Sequence, residues 1–64
     1  MKLIKLIKFR LDHNLKSKEM AEILGYTASK YSQIENGKRK PPIEMAVLIE
    51  EIFGIDNALS LFKT

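Results

Sequence analysis

A chain of 64 residues with 11 Lys and Arg, 8 Asp and Glu, one histidine and no cysteine has room for one domain, which buries only about 60% of the surface its unfolded form exposes. The absence of cysteine excludes disulfides and thiolate metal sites, and a single histidine gives a metal cluster or a histidine-based catalytic set almost nothing to build on. Net charge is +3, but residues 1–40 hold ten basic residues against four acidic ones and residues 41–64 hold one against four, so a polyanion is drawn to the first part and not to the second.

The opening MKLIKLIKF is interrupted by Lys5 and Lys8, is followed by no small-residue cleavage site, and falls far short of the roughly 18 apolar residues of a membrane span. A soluble, cytoplasmic protein is expected. Residues 2–13 suit a helix in which Leu3, Ile4, Leu6, Ile7, Phe9 and Leu11 cover a broad apolar arc, with Lys5, Lys8 and Asp12 opposite. A basic helix lying on a membrane is the weaker reading, because this arc has the rest of a domain to cover. Arg10 falls near the middle of the arc, where a lone charge costs several kcal/mol. The chain must supply a carboxylate there, and Glu35 is the best candidate; the alternative is an arginine that snorkels out past the core. His13 and Asn14 then break the pattern as helix-end or surface residues, and Leu15 returns to the core as a plug.

From Ser17 to Lys40 the chain reads as two short helices, a tight turn and a basic loop. Met20, Ala21 and Leu24 share one helical face and Gly25 follows where a helix closes with a left-handed residue. Thr27 can cap a second helix whose apolar positions, Tyr31 and Ile34, recur until Asn36-Gly37 stops it. Ala21 is small enough to let the two helices cross steeply, and helix, short turn and helix form the DNA-reading unit of many regulators.

Pro41-Pro42 holds the chain extended, so a fourth helix is expected to start near Pro42 or Ile43 with Ile43, Ala46, Val47, Ile49 and Phe53 inward, and to end at Gly54. Asp56 can cap a last short helix, NALSLFK. Leu48, Ile52, Leu59, Leu61 and Phe62 remain as more apolar surface than the neighbouring elements need, and they either meet a second subunit or close the monomer core. No alternating apolar run suggests a strand, so the expected fold is all-α with five helices, residues 1–64 forming one unit.

With Tyr31, Ile34 and Glu35 inward, the other side of the second motif helix presents Ser29, Ser32, Gln33 and Asn36, flanked by Ala28 and Lys30. A face without large apolar side chains can lie deep in a major groove. Gln33 is the strongest base-reading candidate because its amide can pair bidentately with adenine, with Ser29 donating or accepting and Ala28 packing on a thymine methyl. Lys38, Arg39, Lys40, Asn36 and the backbone N–H groups that open each helix suit phosphates, with Lys30, Ser32 and Ser17 as further contacts.

With these residues assembled, the chain resembles the lambda-repressor and Cro-like helix-turn-helix domains, the XRE family, across residues 3–62. The resemblance rests on Arg10, on Met20-Ala21-Glu22-Ile23-Leu24-Gly25, and on Ile34-Glu35-Asn36-Gly37-Lys38-Arg39-Lys40-Pro41. It implies a compact five-helix domain that binds double-stranded DNA, usually as a homodimer on a palindromic operator, to repress or activate transcription. It also implies a salt bridge between Arg10 and Glu35, and base contacts from Thr27, Ala28, Ser29 and Gln33. The sequence departs from the pattern at Lys16 and Ser17, where a Ser or Thr cap and a Gln are usual, and at Tyr31, where a smaller aliphatic residue is usual. Ser17 is then the candidate cap of the first motif helix. The competing functional class is a protein-interaction module, such as a toxin-neutralising antitoxin or a polymerase-docking factor, motivated by the acidic, apolar C-terminal third. No enzyme, metal or cofactor is expected.

Overall fold

The computed structural model describes residues 1–63 and places four α-helices before a short 3-10 helix, with no strand among the described residues. Helix α1 covers Ile4–Asp12, α2 Ser17–Leu24, α3 Ala28–Glu35 and α4 Ile43–Phe53, and the closing 3-10 helix covers Ala58–Phe62. The all-α class is as expected, but the fifth element is not an α-helix. Asn57 enters it in a left-handed conformation (φ 58°), and its carbonyl accepts both the Ser60 N–H at 3.1 Å and the Ser60 hydroxyl at 2.8 Å. Two bonds spanning three residues fix the tighter winding in a segment too short to propagate an α-helix. Its first N–H is satisfied by Glu50 of α4, whose Oε2 accepts from Ala58 at 2.9 Å. Asp56 therefore does not cap it.

Helices α2 and α3 pack on each other, α1 lies against α3, and α4 lies against α2, while the closing 3-10 helix fills the space between α1 and α4 with Ala58 fully buried. Leu6, Met20, Tyr31, Ile34, Met45 and Ile49 are the largest fully enclosed side chains. At roughly 1.5–3 kcal/mol for each large apolar side chain buried, they dominate the favourable side of folding.

Two helices turn differently from their apolar pattern. In α1, Leu3 just before the helix and Leu6 are buried, but Ile4 and Leu11 face outward. In α4, Met45, Ala46 and Ile49 point inward, whereas Ile43 and Val47 are 74% and 46% exposed. Helix α4 reads IEMAVLIEEIF; with apolar residues on nearly every side, the arc to be buried is chosen by the neighbours α2 and the closing helix. Met45, unbranched and flexible, fills that irregular space better than a β-branched residue.

Candidate nucleic-acid interface

The turn between α2 and α3 is built by two residues. Gly25 takes φ 78°, which lets its N–H reach the Glu22 carbonyl at 3.1 Å and the Tyr26 N–H reach the Ala21 carbonyl at 2.8 Å. These two bonds close α2 at a position where a Cβ would cost roughly 1–2 kcal/mol. Two residues later the Thr27 hydroxyl oxygen accepts the Lys30 N–H at 3.1 Å and starts α3. At the other end of the unit, α2 begins after Lys16, whose backbone N–H donates to the Glu19 carboxylate at 2.8 Å. The Lys16 ammonium has no acceptor to return, so half of a capping box remains. Ser17 is the first helical residue and not the cap.

Helix α3 is divided by burial. Tyr31, Ile34 and Glu35 are enclosed; Ala28, Ser29, Lys30 and Asn36 are exposed, with Ser32 and Gln33 half-buried beside them. The helix closes on Gly37 (φ 78°), with Gly37 N–H to Ile34 at 3.1 Å and Lys38 N–H to Gln33 at 2.9 Å. A third bond, Arg39 N–H to the Gln33 carbonyl at 3.3 Å, curls the exposed Lys38-Arg39-Lys40 loop back against the end of α3.

This helix is held from behind by Arg10. Its Nε donates to Glu35 Oε2 at 2.7 Å and its Nη2 to Glu35 Oε1 at 3.2 Å, while Nη1 donates to the Leu15 carbonyl at 2.9 Å. One guanidinium thus joins α1, α3 and the segment that leads into α2. The hydrogen bond to Glu35 outweighs the effect of burial and raises the Arg10 pKa above its ordinary value. Beside the pair, the Tyr31 hydroxyl is buried without a hydrogen bond of normal geometry, and burial drives its phenol far above the ordinary range. The N-terminal segment adds a second fastening: the Leu3 N–H donates to the Glu35 carbonyl at 2.8 Å, and the Met1 backbone lies directly over Gly37.

The residues assigned to base reading, Thr27, Ala28, Ser29 and Gln33, come together on α3 and its cap, and the loop lysines flank them at one end. Ser17 lies apart from these, at the start of α2. Several of these side chains are already engaged. The Asn36 amide donates to the Ser32 carbonyl at 2.9 Å and the Ser32 hydroxyl at 3.3 Å, closing the helix end. The Lys30 ammonium stands 5.2 Å from the centre of the Tyr26 ring, and the Gln33 Oε1 accepts from Arg39 Nε at 3.1 Å. Neither of the last two contacts follows from helical periodicity. Tyr26 precedes α3, and Arg39 lies six residues beyond Gln33, past the helix end. Of the apolar set left open between a second subunit and the monomer core, Ile52 and Leu59 are exposed, whereas Leu48, Leu61 and Phe62 are partly buried against the core.

Two short helices joined through a left-handed glycine, the second clamped from behind and bare of large apolar groups in front, define a DNA-binding helix-turn-helix regulator. A family model described as helix-turn-helix matches residues 6–56. The chain belongs to this family, the lambda-repressor and Cro-like proteins of XRE type. No curated protein and no solved structure matches the chain. Among the described residues, no helix is long and apolar enough to cross a membrane.

Proposed function

We propose that the protein is a sequence-specific regulator of transcription that lays α3 in the major groove of double-stranded DNA and acts as a homodimer on a palindromic operator. The observation that carries this reading is the exposed, small and polar outer side of α3, with three basic residues curled against its end. Thr27, Ala28, Ser29 and Gln33 face base edges, Gln33 offering the donor and acceptor that adenine requires. Lys38, Arg39 and Lys40 grip phosphates, joined by Lys30, Ser32, Asn36 and Ser17. Ile52 and Leu59, with Leu48, Leu61 and Phe62 behind them, form the dimer contact. Residues 1–64 work as one DNA-binding unit in the cytoplasm, on the nucleoid when bound, and no cofactor enters the reading.

Selection of bound sequences from random duplexes tests it. The expected result is an enriched inverted repeat, with preference at one base pair per half-site lost in Gln33→Ala and affinity falling with salt at a slope of about −0.9 per phosphate neutralised. Failure of every duplex to outcompete bulk DNA by about tenfold would sink the reading, since specific sites ordinarily exceed that margin by far. One observation favours the second reading, a protein-interaction module. Ile43 and Val47 stand exposed beside Glu44 and Glu51 on the outer side of α4, and an apolar strip with an acidic border suits a basic protein partner. Duplex selection that returns no preference, together with a protein partner lost in Val47→Asp, would favour it.

A further inference from the structure

Arg39 was assigned above to phosphate, yet its Nε donates to the Gln33 side-chain oxygen. We infer that Arg39 is a positioning residue for base reading: it fixes which end of the Gln33 amide faces the groove and thereby sets the base preference of that position. The inference rests on the DNA-binding reading proposed above and goes beyond it by assigning a specificity role to a loop residue.

The geometry makes the bond inexpensive to form. The Gln33 carbonyl already accepts the backbone N–H groups of Lys38 at 2.9 Å and Arg39 at 3.3 Å, so the Arg39 backbone is pinned beside Gln33 before its side chain is ordered. The loop is already closed by these bonds, so only the rotamers of the two side chains remain to be fixed, and although the bond is exposed, a hydrogen bond from a charged donor is roughly twice as strong as a neutral one. The amide is also given a direction. Turned by half a rotation, it would set its own N–H donors against the guanidinium, donor against donor.

With Oε1 held toward the loop, Gln33 keeps one lone pair on that oxygen and both Nε2 hydrogens. That acceptor beside a donor is the combination that meets the adenine N6 amine and N7. An amide free to rotate can also donate to N7 of guanine, so its choice between purines weakens. Among the described residues, Arg39 makes a side-chain hydrogen bond only through Nε, which leaves Nη1 and Nη2 to a phosphate. The side chain then spans backbone and base reader together.

The test compares wild type, Arg39→Met and Arg39→Lys, each in the wild-type and Gln33→Ala backgrounds, by competition between duplexes that differ at the base pair Gln33 reads. Wild type is expected to show the roughly 5- to 150-fold discrimination of a bidentate contact. Arg39→Met should fall below about threefold at that pair while keeping its preferences elsewhere, and Arg39→Lys, whose ammonium can still donate to the Gln33 oxygen, should retain more of the preference than Arg39→Met. Arg39→Lys should hold the salt slope, and neither change should alter preference further once Gln33 is Ala. In the free protein, the Gln33 side-chain amide signals in nitrogen-15 NMR should shift and sharpen in Arg39→Met, with backbone signals of the core unchanged. The inference is overturned if wild type discriminates and Arg39→Met discriminates equally, losing only affinity and about one unit of salt slope. If wild type itself selects no sequence, the proposed function fails, and the inference about preference fails with it.

Discussion

Removing either half of the Arg10–Glu35 pair is expected to destabilise the protein severely, and the two halves do not weigh the same. The side chains are 12% and 7% exposed, deep enough that breaking the pair falls in the range of about 3–5 kcal/mol for buried ion pairs. A protein of 64 residues has about 3–10 kcal/mol of stability in all. Glu35→Ala leaves a guanidinium that still donates to the Leu15 carbonyl and can swing toward water from α1, so its cost belongs near 3 kcal/mol. Arg10→Met strands a carboxylate on the inner side of α3 and also removes the donor to Leu15, adding about 1 kcal/mol and placing it near 5. The double variant Arg10→Met with Glu35→Leu replaces the pair by apolar groups of similar length and should recover most of the loss. Urea unfolding followed by far-ultraviolet circular dichroism reads all four proteins, and recovery of a folded double variant is diagnostic even where Arg10→Met alone does not fold. Single losses under about 0.5 kcal/mol, the scale of exposed pairs, would refute this account of α3, as would a double variant as unstable as the sum of the singles.

Three further outcomes are expected. Gly25 and Gly37 share φ 78°, but a Cβ at Gly25 meets open space and one at Gly37 collides with the Met1 backbone. Gly37→Ala should therefore cost clearly more than the roughly 1–2 kcal/mol of Gly25→Ala, a gap visible in thermal melts at about 4–8 °C per kcal/mol; equal shifts would mean that Met1 moves aside freely. Thr27→Ala should cost about 1 kcal/mol through the lost cap, while Thr27→Ser should be nearly neutral by the same melts. Burial holds the Tyr31 phenol well above its ordinary 10.0, so the folded state retains a proton that the unfolded chain has released. The stability this contributes is complete below pH 10 and is lost as pH rises above it. Tyr31→Phe should flatten that alkaline decline in urea midpoint, and an unchanged decline would assign it to other groups, Tyr26 among them.

How much of this was legible in the sequence depended on the range of the interaction. Helices α2 and α3 are announced by local signals: Met20, Ala21 and Leu24 at helical spacing, Gly25 at the turn, Thr27 at the cap. Arg10 was legible because a charge in an apolar arc demands a partner and few carboxylates point inward. Ile43 and Val47 were misplaced because α4 is apolar nearly all round, and periodicity cannot choose an arc when most arcs qualify. The cap of the closing helix was misassigned for a related reason. Asp56 was the local candidate, but Glu50 reaches across from α4, and contacts between elements leave no mark in spacing. At the candidate interface, the polar outer face of α3 is readable from the helical spacing of Tyr31 and Ile34, whereas the bond from Arg39 to Gln33 crosses a helix end and is visible only in three dimensions.

The length of α3 has a consequence in information. Eight residues at 1.5 Å each span about 12 Å, and base pairs are stacked 3.4 Å apart, so one such helix faces only about three or four pairs. Even perfect reading of these would single out about one position in 64 to 256, against the million or more that a genome offers. The helix cannot grow to read more, because Gly37 with the Met1 backbone over it stops it at one end and the Thr27 cap at the other. Two copies at a fixed spacing, as in the proposed reading, would square the odds to about one in 4,000 to 65,000, and the remaining selection would fall to DNA shape and to contacts outside the helix.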